Sequence, residues 1–472
     1  MAPAVFWFRR DLRLRDHPAL HQAVELGGDD GVVPLFIADD ALLGPSGPTR
    51  VAYLSNCLEA LNEDLEGTLC LRSGAPAEVL AELCAELSVR HVVATADHAP
   101  YGQRRDAEVT EVLARVGVEM SFVDSNYAVA PGTVFGESGA PLKVFTAFRR
   151  RWEVLGPHLV LDAPEPCWVR VASTIETGDL VTRAGRHRPA MFTDLPDEPT
   201  MELPRAGERA GLERLAAFAS SSAGRYKERR DLPAVEGTSR LSADLRFGTV
   251  HPRSVLAAVA AGNEGSVTFR SEICWREFYA DVLFHSPESI TTSLQKSLKG
   301  LRWDTGKAAE ARFRMWALGE TGIPMVDAAM RQLLATGWMH NRSRMLAASF
   351  LVKHLHLDWR WGARWFMWRL YDGDVASNTH GWQWTAGTGT DAAPFHRIFS
   401  PIAQAERFDA DAEYIHTWVP ELADVAPPQV FQPGAGTGLL RPAGYADPMV
   451  DLKAERAEAL ERFAEARGKK PS

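Results

Sequence analysis

The sequence predicts an α/β domain built on a doubly wound parallel sheet, joined to an all-α helical domain. Up to about residue 125, short β-branched or aromatic runs alternate with longer stretches of helical period. From about residue 206 the period is helical throughout, and the stretch between carries seven prolines from Pro157 to Pro204. The expected organisation is therefore an α/β domain over 1–125, an interdomain connector over 126–205 and a helical domain over 206–472.

In order, Val5–Arg9, Val32–Ile37, Thr68–Arg72, His91–Ala96 and Glu119–Val123 read as strands. They are apolar without strict alternation, the mark of strands covered on both faces. His17–Leu26, Arg50–Leu65, Pro76–Leu87 and Gly102–Val116 read as the helices between them, and right-handed crossovers then wind the sheet on both sides. In the helical half, Pro324 opens a helix as a first-turn proline and Gly337 stops it. Apolar residues at 323, 326, 330, 333 and 334 give that helix one buried stripe. The tail from Asp451 reads as a short charged helix.

Composition narrows the function classes. The 472 residues are 46% apolar, yet the longest clean apolar run, Val255 to Ala261, is far short of the ~20 residues of a membrane helix. Arg9 and Arg10 follow the first apolar run, the wrong order for a signal peptide. Five cysteines without a Cys-x-x-Cys pair indicate neither a disulfide framework nor a zinc site. The expectation is a cytoplasmic monomer with reduced thiols, no metal and no membrane contact. No Gly-x-Gly-x-x-Gly follows the first strand, where the sequence runs Phe8-Arg9-Arg10-Asp11-Leu12-Arg13. Walker A, His-Glu-x-x-His and Gly-x-Ser-x-Gly motifs are absent too.

The tryptophans are unevenly spread: three of 14 lie before residue 275 and 11 between Trp275 and Trp418. From Arg331 to Leu370, seven Lys or Arg face one acid, +6 in a chain whose formal charge is −9, with five tryptophans interleaved. Cations that neutralise phosphates beside rings that stack on bases suit a nucleic-acid or nucleotide site; a helical core with snorkelling arginines is the structural alternative. Asp372 to Asp391 is too rich in Gly, Thr, Ser and Asp for a core helix and suits close approach to a ligand. Thr238-Ser239-Arg240-Leu241-Ser242, just before a helical stretch, reads as a phosphate cradle or as a capping sequence.

Gly337-Trp338-Met339-His340-Asn341-Arg342-Ser343-Arg344-Met345, the Asp372 to Asp391 segment, the Thr-Ser-Arg-Leu-Ser run and Glu272-Ile273-Cys274-Trp275-Arg276-Glu277 together resemble signatures of the DNA photolyase/cryptochrome family, most closely its class I enzymes for cyclobutane pyrimidine dimers. The opening Trp7 to Arg13 resembles that family's first strand and loop, so the resemblance runs from residue 5 to about 420. It implies light-driven repair of pyrimidine dimers, by electron transfer from excited, reduced FAD to a dimer flipped out of single- or double-stranded UV-damaged DNA. A dimer pairs and stacks poorly, which lowers the cost of flipping it out of the helix.

Carried over by motif, FAD would be held by Tyr226, Thr238, Ser239, Arg240, Leu241, Ser242, Arg344, Asp372, Gly373 and Asp374, with Asn378 facing the flavin N5. The dimer would meet Glu272, Trp275, Asn341, Met345 and Trp384. Relatives acting on the (6–4) photoproduct have histidines where Asn341 and Met345 stand, which separates that alternative. DNA would be met on a local basic face by Arg230, Arg276, Arg342, Arg397 and Gln404. Trp382, Trp359 and Trp303 match the family's electron-supplying tryptophans: the first two keep its spacing of 23, whereas Trp303 precedes Trp316 by 13 rather than ten. Trp361, Trp365 and Trp368, at nearly helical intervals, are assigned to core. In the α/β domain Arg50, Asp97 and Arg105 resemble positions binding a deazaflavin antenna (8-HDF), although Ala99 stands where an acid is common; a folate (MTHF), FMN or no antenna are the alternatives. A cryptochrome photoreceptor without repair activity would share fold and FAD.

Overall fold

The computed structural model describes residues 2–391, 397–433 and 444–468. Five parallel strands, β1 (Ala4–Phe8), β2 (Val32–Ala38), β3 (Cys70–Ser73), β4 (His91–Ala96) and β5 (Glu119–Ser125), pair in the order β3-β2-β1-β4-β5. Ala4 pairs with Val32 and Val5 with Val92, so β1 is central, and every residue of β1 and β2 is buried. Burial on both faces is why these strands read as continuous apolar runs. The helices Pro18–Gly27, Pro48–Asp64, Pro76–Leu87 and Pro100–Arg115 connect them, and each opens with a proline in its first turn. From β1 the chain winds outward through β2 to β3, then returns to β4 on the other side of β1. That reversal places a crevice at the carboxyl ends of β1 and β4.

The compact units do not follow chain order. One comprises Met1–Arg188, Pro204–Lys227 and Ser239–Pro287; the other comprises Pro189–Leu203, Glu228–Thr238 and Glu288–Ser472. The 22-residue helix Glu264–His285 belongs to the first, tied to the chain after β5 by two buried carboxylates, Glu277 and Asp281, the latter accepting the Gly132 N–H (2.8 Å). Glu277 accepts the N–H groups of Ala128 (2.6 Å) and Val129 (3.0 Å) and the Trp152 indole N–H (2.6 Å). Burial pushes that carboxyl up, and the three donors oppose the shift.

The second unit packs its helices around a core that includes Trp316, Trp359, Trp365, Trp368 and Trp382. The helix Pro324–Thr336 begins at its proline and ends at Gly337, whose φ of 69° a glycine takes without strain. Helices Asn341–Lys353, Trp359–Arg369 and Val375–Ala386 follow, each capped by the side chain before it, His340, Asp358 and Asp374; the last, against the expectation from its small polar residues, is a helix that puts Trp382 and Ala386 into the core. Asp451 caps the tail helix Leu452–Ala466. Among the described residues no helix is long and apolar enough to cross a membrane.

Candidate functional site

In the first unit the helix Glu264–His285 sorts its residues by face. Cys274, Glu277, Phe278 and Asp281 are buried, while Glu272, Trp275, Arg276 and Tyr279 are half-buried at i, i+3, i+4 and i+7 spacing on another face. Arg276, expected at DNA, instead donates to the carbonyls of Asn126 (3.1 Å) and Leu245 (2.9 Å) and lies over the Tyr127 ring. Tyr226 is buried edge-on against Phe218 and Phe269. Next to the short helix Ser242–Phe247, Arg240 takes a left-handed φ of 55°, and the Leu241 N–H donates to Ser239 Oγ. Leu241 is buried, whereas Ser242 is exposed.

In the second unit Arg344 pairs with the buried Asp372. Arg344 donates through Nε to the Met339 carbonyl (2.8 Å) and through Nη2 to Asp372 Oδ2 (2.7 Å). The other Asp372 oxygen is buried and has no partner among the described residues. A buried carboxylate oxygen without a donor is costly, so the site calls for a ligand donor there. Asp374 accepts the Ser377 N–H (3.0 Å) as helix cap, and Gly373 lies buried between the two acids. Asn378 donates its side-chain amide to the Ala363 carbonyl (3.0 Å).

Helical spacing separates the paired tryptophans. Trp382 is buried, edge-on to Phe366 at 5.0 Å and to Trp316 at 6.1 Å. Trp384, two residues on and turned to another face, is half-buried. Trp359 is buried, and Trp303 is half-buried against the core. Asn341 is exposed and Met345 half-buried one helical turn apart, with Asn341 Nδ2 3.9 Å from Met345 Sδ.

The +6 stretch does not form one basic face. Arg331 is bound to Glu421, Arg360 to Asp358, and the buried Arg369 to the carbonyls of Pro196, Glu198 and Leu334. Lys353 is buried and donates to the Arg397 carbonyl (2.9 Å); burial pushes its ammonium down to about 8. Charge counting missed this because it registers cations regardless of partners. It also missed Asp231, which pairs with Arg342 (2.7 Å) and lies 3.9 Å from Arg230. Arg342 also covers the Phe408 ring at 4.4 Å. Arg397 is exposed; Gln404 is half-buried with Oε1 lacking a partner among the described residues.

At the crevice ending β1 and β4, Trp7 is flanked by the guanidinium groups of Arg9 (4.8 Å) and Arg105 (5.0 Å). Arg105 binds Asp97 (3.3 Å) and Asp106 (2.8 Å), and Tyr101 binds Asp39. Burial pushes the Asp97 carboxyl up, but Arg105, Arg10 and Arg9 together hold it below its usual value. Gly102 is required there, because a Cβ would run into the Asp97 carboxyl. Arg50 is buried and donates to Ser46 Oγ (2.8 Å). Of the three antenna residues expected from the sequence, Asp97 and Arg105 lie here beside Trp7, Arg9 and Tyr101.

Both ends of the chain match known families. The family described as DNA photolyase matches residues 4–166, and the FAD binding domain of DNA photolyase matches residues 269–465. The deoxyribodipyrimidine photo-lyase of Streptomyces griseus is 40% identical, over 99% of this chain and 100% of its own. The chain belongs to the DNA photolyase family. Its Escherichia coli relative of the same name is 37% identical over 99% of both chains. Among solved structures, a class III photolyase from Agrobacterium tumefaciens superposes with a TM-score of 0.88 at 34% identity, covering 99% of this chain and 98% of that one. A Sulfolobus tokodaii photolyase, described with two FAD molecules and a novel light-harvesting cofactor, gives 0.79 at 28%, covering 98% and 100%. For this photolyase-family chain, the FAD-binding match spans the Arg344–Asp372 pair, Asn378 and the helix face bearing Glu272 and Trp275.

Proposed function

We propose that this chain is a deoxyribodipyrimidine photolyase, repairing cyclobutane pyrimidine dimers in UV-damaged DNA under blue light. What carries the reading is its full-length similarity to enzymes of that name, with Asn341 and Met345 together on one face of a helix. The residues present fit FAD. The buried, donor-seeking Asp372 oxygen suits a ribose hydroxyl or a ring N–H, and Arg344 fixes that carboxylate in place. Tyr226, the Thr238 to Ser242 run, Gly373 and Asp374 complete the set. When bound and reduced, FAD supplies the light-excited electron that opens the cyclobutane ring.

The chain's own residues bind, orient and exclude water. Asn378 commits amide hydrogen to Ala363, so its oxygen is left to accept from a flavin N–H, and a neutral amide offers no acidic proton. Trp275 and Trp384 offer half-buried indoles to the apolar face of the dimer, and Glu272 and Asn341 address its carbonyl and imide groups. Arg230, Arg342, Arg397 and Gln404 meet DNA phosphates; Arg276 is left out of this set because two of its five N–H donors hold backbone carbonyls. Trp382 and Trp359 from the core, with the half-buried Trp303, supply electrons that restore reduced flavin. The Trp7, Arg9, Asp97, Tyr101 and Arg105 crevice takes an antenna, 8-HDF being our first choice and MTHF the second. These residues come from one chain, so a monomer suffices, and five unpaired thiols suit the cytoplasm.

The test is to illuminate the flavin-reduced protein with dimer-containing oligo(dT). Light-dependent recovery of thymine absorbance is expected; its absence with reduced FAD bound overturns the reading in favour of a photoreceptor. Repair confined to (6–4) lesions overturns the choice of substrate.

A further inference from the structure

Trp275 has one face already covered. Phe145, the first residue of the helix Phe145–Leu155, lies parallel to the indole, with ring centroids 3.7 Å apart and planes 7° apart. At that separation, close to the ~3.5–4.0 Å of carbon contact, the rings overlap almost fully. Aromatic pairs left to themselves prefer an offset or edge-on arrangement with centroids about 4.5–7 Å apart. Surrounding packing therefore imposes the sandwich, and the structure shows how. Phe145, Phe148 and Trp152 form the buried stripe of their helix. Phe148 lies 5.2 Å from Phe278, Phe145 is edge-on to the same ring at 5.8 Å, and the Trp152 N–H is held by Glu277. Phe278, edge-on at 5.6 Å, and Tyr279, tilted at 5.4 Å, then border the indole.

We propose that Phe145 is a positioning residue for lesion recognition: it backs the Trp275 indole, so that a flipped pyrimidine dimer stacks on one defined face. The inference rests on the reading of Trp275 as a lesion contact. A side chain with free χ1 and χ2 would lose rotamer entropy on binding the dimer, and an indole already clamped loses less. The effect falls on the dimer alone, because undamaged DNA does not place a base against this ring.

The test compares flavin-loaded, full-length Phe145→Leu, Phe145→Tyr and Trp275→Ala proteins. The probes are a labelled oligo(dT) carrying one cyclobutane dimer and the same oligonucleotide undamaged. Phe145→Leu is expected to weaken dimer binding about tenfold, or about 1.4 kcal/mol, leaving undamaged binding and the flavin spectrum unchanged. Phe145→Tyr keeps the ring and is expected to restore dimer affinity. If the leucine variant loses flavin, Phe145→Met, which fills the space without a planar face, takes its place. Wild-type dimer affinity without the ring refutes the proposal, as do equal losses in the tyrosine variant or parallel losses on undamaged DNA. A Trp275→Ala protein that binds dimer normally refutes the underlying reading of Trp275, and the Phe145 inference with it. A large loss there with none in Phe145→Leu refutes Phe145 alone.

Discussion

Gly362 sits inside the helix Trp359–Arg369, and a Cβ added there would lie 2.6 Å from Cζ2 and Cζ3 of Trp382 and closer still to Cη2. Carbon contact needs ~3.5 Å, so Gly362→Ala requires the indole to move by well over ~1 Å. Trp382 has little room, being held edge-on by Phe366 and Trp316. Overpacking of this kind costs about 1–3 kcal/mol, against a gain of about 1 kcal/mol from replacing a helical glycine by alanine. The expected net is a loss of about 1 kcal/mol, opposite in sign to the same change on an open helix surface. Function should separate along the same line. Light-driven reduction of oxidised flavin, followed by bleaching of its absorbance with an external electron donor, should slow. Repair by chemically pre-reduced enzyme should persist. A variant stabilised by about 1 kcal/mol, with wild-type photoreduction, would mean that Trp382 yields freely and would sink the argument.

Three further outcomes are expected. Asp231→Asn removes the acid shared by Arg342 and Arg230; damaged and undamaged DNA should both bind more tightly, with the salt slope steeper by about 1, and unchanged salt dependence would remove these arginines from the phosphate set. Asp372→Asn breaks the charged pair with Arg344 and should weaken FAD retention about tenfold to a hundredfold, read from the flavin-to-protein absorbance ratio after dialysis; full retention contradicts the assigned site. Burial holds His380 down at about 4 against an ordinary 6.5, while its bonds to Ala376 and Ser289 keep it in place. The unfolded chain takes the proton first, so stability is full above pH 6.5 and falls as the pH drops toward 4. His380 alone contributes about 2 kcal/mol of loss between about pH 7 and pH 5, and urea unfolding of His380→Gln should show a flatter pH dependence.

Much of the α/β domain, and the family, can be read from the chain alone, whereas the helix Phe145–Leu155 lies inside what reads as a connector. Five strand runs and the Pro324 to Gly337 helix were legible because hydrophobic pattern, proline and glycine act over a few neighbouring residues. The flavin and lesion residues proposed above rest on family motifs, which label positions regardless of distance. Partnerships across the chain were left to the tertiary structure. The +6 count could not reveal that Arg331, Arg360 and Arg369 are bound internally, nor that Asp231 tempers Arg342. Nor could the sequence reveal that Arg276 holds two backbone carbonyls, those of Asn126 and Leu245. Phe145 and Trp275 stand 130 residues apart, and no periodicity relates them. Charge and aromaticity are properties of single residues, readable from the chain; what each charge faces and which side of a ring stays open are properties of pairs, which only packing decides.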